Sequence, residues 1–174
     1  MSDKKYKVGL AIMRAQPFHI GHESIIRKML AECETAIVQI GSVQESRTAR
    51  NPFTYAERMV MIANAFPTEF ANCTLRISGI EDIHNINLWA GFAAAKVWRE
   101  FGAEVDAYYC GSGESDGARF AAIGLSIVHV DREVIKICAS DIRERLCTGD
   151  DSIMRYIPPQ NHELARAVMR QQKL

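Results

Sequence analysis

Short apolar runs alternate with segments of helical period along this 174-residue chain, and that rhythm admits few folds. YKVGLAIM (Tyr6–Met13) predicts a buried strand. Ile25, Ile26, Met29 and Leu30 mark one buried face of a helix across Ser24–Glu34, opening near His22. Thr35–Ser42 reads as a second strand. Thr54 followed by Glu57 is a capping-box signature, opening a helix that runs to about Phe66. Cys73–Ile80 predicts a third strand, Leu88–Phe101 another helix, and Glu104–Gly111 and Leu125–Val130 two further buried strands. Ser140 is expected to cap a short helix ending near Leu146, and Pro158–Pro159 breaks the chain before a last helix over Asn161–Gln172. The alternation predicts an α/β fold: a Rossmann-like, doubly wound parallel sheet with helices on both faces and a short helical C-terminal extension. Residues 1–174 fit one domain.

Charge narrows the partners. Lys plus Arg and Asp plus Glu number 21 each, so no overall basic field draws nucleic acid or an anionic membrane. Any anion site has to be local. Cys33, Cys73, Cys110, Cys138 and Cys147 are scattered, with no CxxC pair, which suits reduced thiols better than a disulfide framework or a zinc site. The opening MSDKKYK is too polar for a signal peptide, and the charge-free run Ile83–Ala95 is too short to span a bilayer. A cytoplasmic setting is expected, with no membrane and no nucleic-acid partner.

In a doubly wound sheet, ligands bind beyond the carboxyl ends of the strands. The stretch RAQPFHIGH (Arg14–His22) lies there, directly after the first strand. Three readings compete for its two histidines. A metal site needs further ligands aimed at one ion, and Gly21 between the rings favours a turn over a rigid ligand-bearing helix. Satisfied imidazoles on a loop are the bland alternative. A phosphate site uses more of the residues. A helix starting near His22 offers unpaired amides and a positive dipole end. Gly21 lets a phosphate approach the backbone, Pro17 stiffens the entry, His19 and His22 donate hydrogen bonds, and Arg14 supplies a charged planar fork.

The stretch resembles the first motif of the His-x-Gly-His nucleotidyltransferases, which move a nucleotidyl group from a nucleoside triphosphate onto a phosphate. GSVQESRTARNPFTYAER (Gly41–Arg58) and EDIHNINLWAG (Glu81–Gly91) are similar to segments of archaeal-type nicotinamide mononucleotide adenylyltransferases. CASDIRERL (Cys138–Leu146) stands where that family's second signature, roughly I-S-x-T-x-I-R, is expected, with Cys138 in place of a serine. Met13 and Ala15 flank Arg14 where the family usually carries Gly and Phe or Met. The likeness runs in family order from Lys7 to Leu146.

The resemblance implies transfer of AMP from ATP to nicotinamide mononucleotide, giving NAD and pyrophosphate, with Mg2+ accompanying ATP and a homo-oligomeric assembly. It implies that Arg14, His19, His22 and Arg143 act on the phosphates, that Gly21 and Ser140 belong to the ATP site, and that Arg50, Asp82 and Trp89 bind the acceptor. Taken without the resemblance, Trp89 reads as a core aromatic, Arg143 as part of a solvated helix face, Arg50 as surface decoration and Asp82 as a turn cap. GSGESDG (Gly111–Gly117) misses the dinucleotide spacing and reads as a loop near the nucleotide. The alternatives are a transferase of the same superfamily acting on another phosphate, such as phosphopantetheine, and a non-catalytic nucleotide sensor.

Overall fold

A computed structural model of the chain describes residues 3–112, 115–131 and 137–171. Strands β1 (Tyr6–Met13), β2 (Cys33–Ile40), β3 (Leu75–Gly79), β4 (Ala107–Gly111) and β5 (Ser126–Val130) form a parallel sheet in the order β3-β2-β1-β4-β5. The chain winds outward from β1 to β3, returns across β1, and finishes through β4 at β5. The direction of winding reverses between β1 and β4.

Both faces of such a sheet have to be covered, which is why its strands read as nearly continuous apolar runs. On one face, Ile25, Ile26 and Met29 of α1 (Ile20–Glu32) and Met61 and Ile62 of α2 (Tyr55–Ala65) pack against Ala36, Val38 and Ile40. On the other, Ala90, Ala93 and Val97 of α4 (Trp89–Phe101) and Phe120 of α5 (Gly117–Ala122) pack against Leu10, Ile37 and Tyr108. The doubly wound architecture expected from the alternation is present.

The boundaries differ where tertiary contacts override local pattern. α1 starts at Ile20, ahead of His22, and ends at Glu32. β2 follows at once from Cys33, because Cys33 already pairs with Tyr6 in the parallel ladder. It ends at Ile40 rather than Ser42, whose φ of 52° is left-handed and incompatible with a strand. α3 (Pro67–Ala71) and α5 are too short for an apolar period to announce them; α3 opens on Pro67, a favoured first residue. Gly111 closes β4 and Gly117 opens α5, while Gly113 and Glu114 of the GSGESDG loop lie outside the described residues.

Ser140 does not cap α6 (Ala139–Cys147). The helix begins one residue before it, with Cys138 in the extended conformation at the cap and no side-chain cap bond. After two 3-10 turns, α7 (His162–Gln171) starts one residue later than expected, since Asn161 belongs to the preceding turn. Buried Asn161 docks this extension onto α2: its Nδ2 donates to the Met61 carbonyl at 2.8 Å, and its Oδ1 accepts from Asn64 Nδ2 at 3.3 Å.

Candidate active site

A cavity of about 620 Å³ opens at the carboxyl ends of β1 and β2, beside the reversal of strand order. Arg14, His19, His22, Asp82, Trp89 and Arg143 all line it. They come from two crossovers, β1 to β2 and β3 to β4, and from α6, so the cavity depends on how the connecting loops are held. Two buried side chains do this. The Arg58 guanidinium, 0% exposed, donates to the carbonyls of Arg14 (2.9 Å), Gly41 (2.6 Å), Ser42 (3.3 Å) and Thr54 (3.2 Å). Burial pulls its pKa below the usual guanidinium range. The Gln16 amide pairs reciprocally with the backbone of Phe53, both bonds at 2.9 Å. These two side chains tie the loop after β1 to the segment between β2 and α2.

α1 opens with an unusual cap. His19 stands at the N-cap and accepts at Nδ1 from the Gly21 amide at 3.1 Å. His22, three residues on, accepts at Nδ1 from the His19 amide at 3.4 Å. The two rings thus form a capping box, the role that Thr54 and Glu57 play for α2. A backbone N–H only donates, so each Nδ1 carries no proton and each neutral ring holds its proton on Nε2. The ring centroids lie 3.9 Å apart. Capping therefore fixes both orientation and tautomer of two rings whose residues line the cavity.

This changes the expected anion site. The Gly21 amide is taken by His19 Nδ1, and the His22 amide donates to the His19 carbonyl at 2.8 Å. Gly21 itself is buried and does not line the cavity. Donors at this end are therefore side chains, not the open backbone amides that the sequence suggests. Arg143 is anchored through Nη1 to the Gln16 carbonyl at 2.7 Å. Burial first, and then the charge of Arg14, lower its pKa, with Arg50 adding to the effect. Arg14 and Arg143 line the same cavity, and an anion placed there would offset their like charge.

The remaining candidates sit at the margins. Arg50 lines an adjoining cavity of about 370 Å³ that shares Arg14 and Asp82 with the main one. Ser140 lines a third space of about 380 Å³ together with Arg143. Asp82 is held by Gln44, which donates to its carboxylate at 3.2 Å and accepts from its amide at 3.3 Å. Trp89, the first residue of α4, is half-buried. Sequence reasoning missed Arg58, Gln16 and Asp116, the last of which also lines the main cavity. Only Arg58 left a signal: it shares the buried face of α2 with Met61, Ile62 and Ala65, where an apolar residue is the norm. Among the described residues, no group of three His, Cys, Asp or Glu side chains is placed to hold a metal ion. No described helix is long and apolar enough to cross a membrane.

A model of the cytidylyltransferase-like family matches residues 13–145. A nicotinamide-nucleotide adenylyltransferase of Methanosphaerula palustris is 32% identical over 142 residues, covering 80% of this chain and 79% of that one. The enzyme of the same name from Thermoplasma acidophilum is 38% identical over 95 residues, 55% of this chain and 52% of its own length. That from Halobacterium salinarum is 42% identical over 81 residues, 47% and 45% of the two chains. In the latter two cases the match spans about half of the relative. A crystal structure of a bifunctional NMN adenylyltransferase/ADP ribose pyrophosphatase from Francisella tularensis, complexed with AMP and a manganese ion, superimposes with a TM-score of 0.79. It is 21% identical and covers 97% of this chain and 52% of that one, a likeness of fold.

Proposed function

The chain belongs to the cytidylyltransferase-like family, and within it we propose that this protein transfers AMP from ATP to nicotinamide mononucleotide, giving NAD and pyrophosphate. The observation that carries the reading is the convergence of Arg14, His19, His22 and Arg143 on one cavity with Trp89 in its wall. A phosphate monoester has its second pKa near 6, so the acceptor is already an anionic nucleophile at neutral pH and needs no general base. One of its oxygens forms a bond to the α-phosphorus of ATP. The bond from that phosphorus to the bridging oxygen breaks, and pyrophosphate leaves with the electron pair.

Positioning and charge stabilisation carry such a step. Arg14 and Arg50, on the two adjoining cavities, hold phosphates of the two substrates close together. The Nε2–H groups of His19 and His22 donate to the triphosphate, His22 to the α-phosphoryl group as its charge grows. Arg143 takes the β,γ-phosphates, and Ser140, one helical turn before it, reaches the same group. Gly21 contributes by keeping the first turn of α1 narrow beside the phosphates. Trp89 stacks on the acceptor ring, with Asp82 beside it.

Mg2+ bound with ATP screens the triphosphate oxygens. With no three-ligand cluster among the described residues, the phosphates and water would supply most of its coordination. Five free cysteines fit a cytoplasmic setting.

Pyrophosphate release across a panel of phosphate acceptors tests the assignment. Release is expected to require both ATP and nicotinamide mononucleotide. Turnover with phosphopantetheine or another monoester, and none with the pyridine nucleotide, overturns it.

A further inference from the structure

We propose that Gln16 is a positioning residue: acting through Arg50, it sets the acceptor phosphate in register with the triphosphate. The inference rests on the adenylyl-transfer reading and adds a residue to its machinery. Gln16 lines the main cavity but is only 1% exposed, and both polar atoms of its amide are bonded to the protein. Nε2 donates to the carbonyl of buried Phe53 and Oε1 accepts from its amide, which anchors the chain three residues beyond Arg50. One neutral amide matches one residue's backbone, donor to acceptor and acceptor to donor.

The segment that presents Arg50 is otherwise folded on itself. The Thr48 amide donates to the Asn51 carbonyl at 3.2 Å, and the Thr48 hydroxyl accepts from the Asn51 amide at 3.0 Å. Asn51 Nδ2 donates to the Glu45 carboxylate, and Arg47 donates to the Pro52 carbonyl at 3.1 Å and to Glu57 at 2.6 Å. These bonds give the loop its shape, but none of them ties it to the loop after β1. Arg58 joins the two loops near their roots, at Arg14, Gly41 and Ser42. The Gln16 bridge joins them close to Arg50.

Gln16 also carries the other half of the register. Arg143 Nη1 donates to its carbonyl at 2.7 Å, and Arg14 stands two residues before it. Three arginines from separate segments are thus referenced to one residue: Arg14 along the backbone, Arg143 through the carbonyl, Arg50 through the side chain. A misplacement of about 1 Å can cost such a transfer on the order of a hundredfold in rate. Loosening the amide bridge moves the acceptor phosphate relative to the triphosphate, while the Arg143 anchor, a backbone contact, stays in place.

Gln16→Met keeps the length of the side chain and removes both bonds, whereas Gln16→Glu keeps the bond from the Phe53 amide. Calorimetric titration with nicotinamide mononucleotide and steady-state kinetics compare these variants with Arg50→Ala and with each paired with Arg50→Ala. Gln16→Met is expected to lower kcat/KM for nicotinamide mononucleotide at least about tenfold, with KM for ATP moving less than about threefold. Gln16→Glu should fall between it and the parent. In the Arg50→Ala background either substitution should cost under about twofold, because the group it acts through is gone. A loss that persists in that background, or one that falls equally on ATP, overturns the proposal, since a merely structural glutamine acts without Arg50. Thermal unfolding identifies a variant that has not folded, and the other then completes the cycle. A parent protein that makes NAD, with losses that add, refutes the positioning alone. One that binds nicotinamide mononucleotide with losses that do not add, yet releases no pyrophosphate, refutes the adenylyl-transfer reading alone.

Discussion

At the amino ends of the strands, acidic side chains meet backbone donors. The Asp106 carboxylate accepts from the amides of Lys7 at 3.0 Å and Val8 at 2.8 Å. Close by, the Cys33 thiol donates to the Tyr109 hydroxyl at 3.3 Å, which donates in turn to Glu32 at 2.8 Å. Burial first, then the bonds to Cys33 and Glu32, push the Tyr109 hydroxyl far above the usual phenol range. At the carboxyl ends the signs are reversed: Arg58 donates to the carbonyls of Arg14, Gly41 and Ser42. Each end of a parallel sheet exposes one kind of backbone group, and each is met by the side-chain charge that satisfies it. The difference lies in what is left over. The acidic network is closed, each group bonded to its neighbour, whereas Arg14 and Arg143 line one open cavity and Arg14 and Arg50 an adjoining one. One end of the sheet is closed on itself; the other opens into cavities lined by guanidinium groups.

The contrast breaks most readily at Arg58. Arg58→Met strips donors from several buried carbonyls, and urea unfolding should show a loss of about 3 kcal/mol. Arg58→Lys should recover little, because a single ammonium cannot reproduce the planar fork that spans both strand ends. A loss under about 1 kcal/mol would mean that water satisfies those carbonyls as well. His22→Ala probes function at the same end. Turnover is expected to fall at least about tenfold while the fold persists, as for removal of a donor to a developing charge. An unchanged rate would reduce the histidine pair to a helix cap. The smallest effect belongs to the sealed end. Tyr109→Phe deletes both hydrogen bonds of that hydroxyl, to Cys33 and Glu32, costing about 1–2 kcal/mol of stability, and should leave turnover untouched. A change in rate there would show that the two ends are coupled.

Much of the fold was legible because its signals are local. β1 runs over the span Tyr6–Met13 marked by its apolar residues, the Thr54–Glu57 box opens α2, and the helix expected through Phe101 ends there before Gly102 turns left-handed. The cap assigned to Ser140 failed for the opposite reason. Where a helix begins depends on where the backbone leaves it, and Cys138 is the residue held extended. His19 and His22 were singled out as donors, yet their capping role is written in no propensity: imidazole seldom replaces the hydroxyl or carboxylate of a capping box.

Periodicity, charge balance and the RAQPFHIGH stretch were enough, before any coordinates, to set the sheet, its layers and the edge where the cavity opens. They suffice because apolar spacing and backbone restrictions act within a few residues. Which carbonyls Arg58 bridges, which ring nitrogen keeps its proton, and how Asp116 comes to face Trp89's pocket were decided only in three dimensions. Those outcomes rest on groups far apart in the chain meeting where water is scarce, and there a hydrogen bond or a charge is worth satisfying.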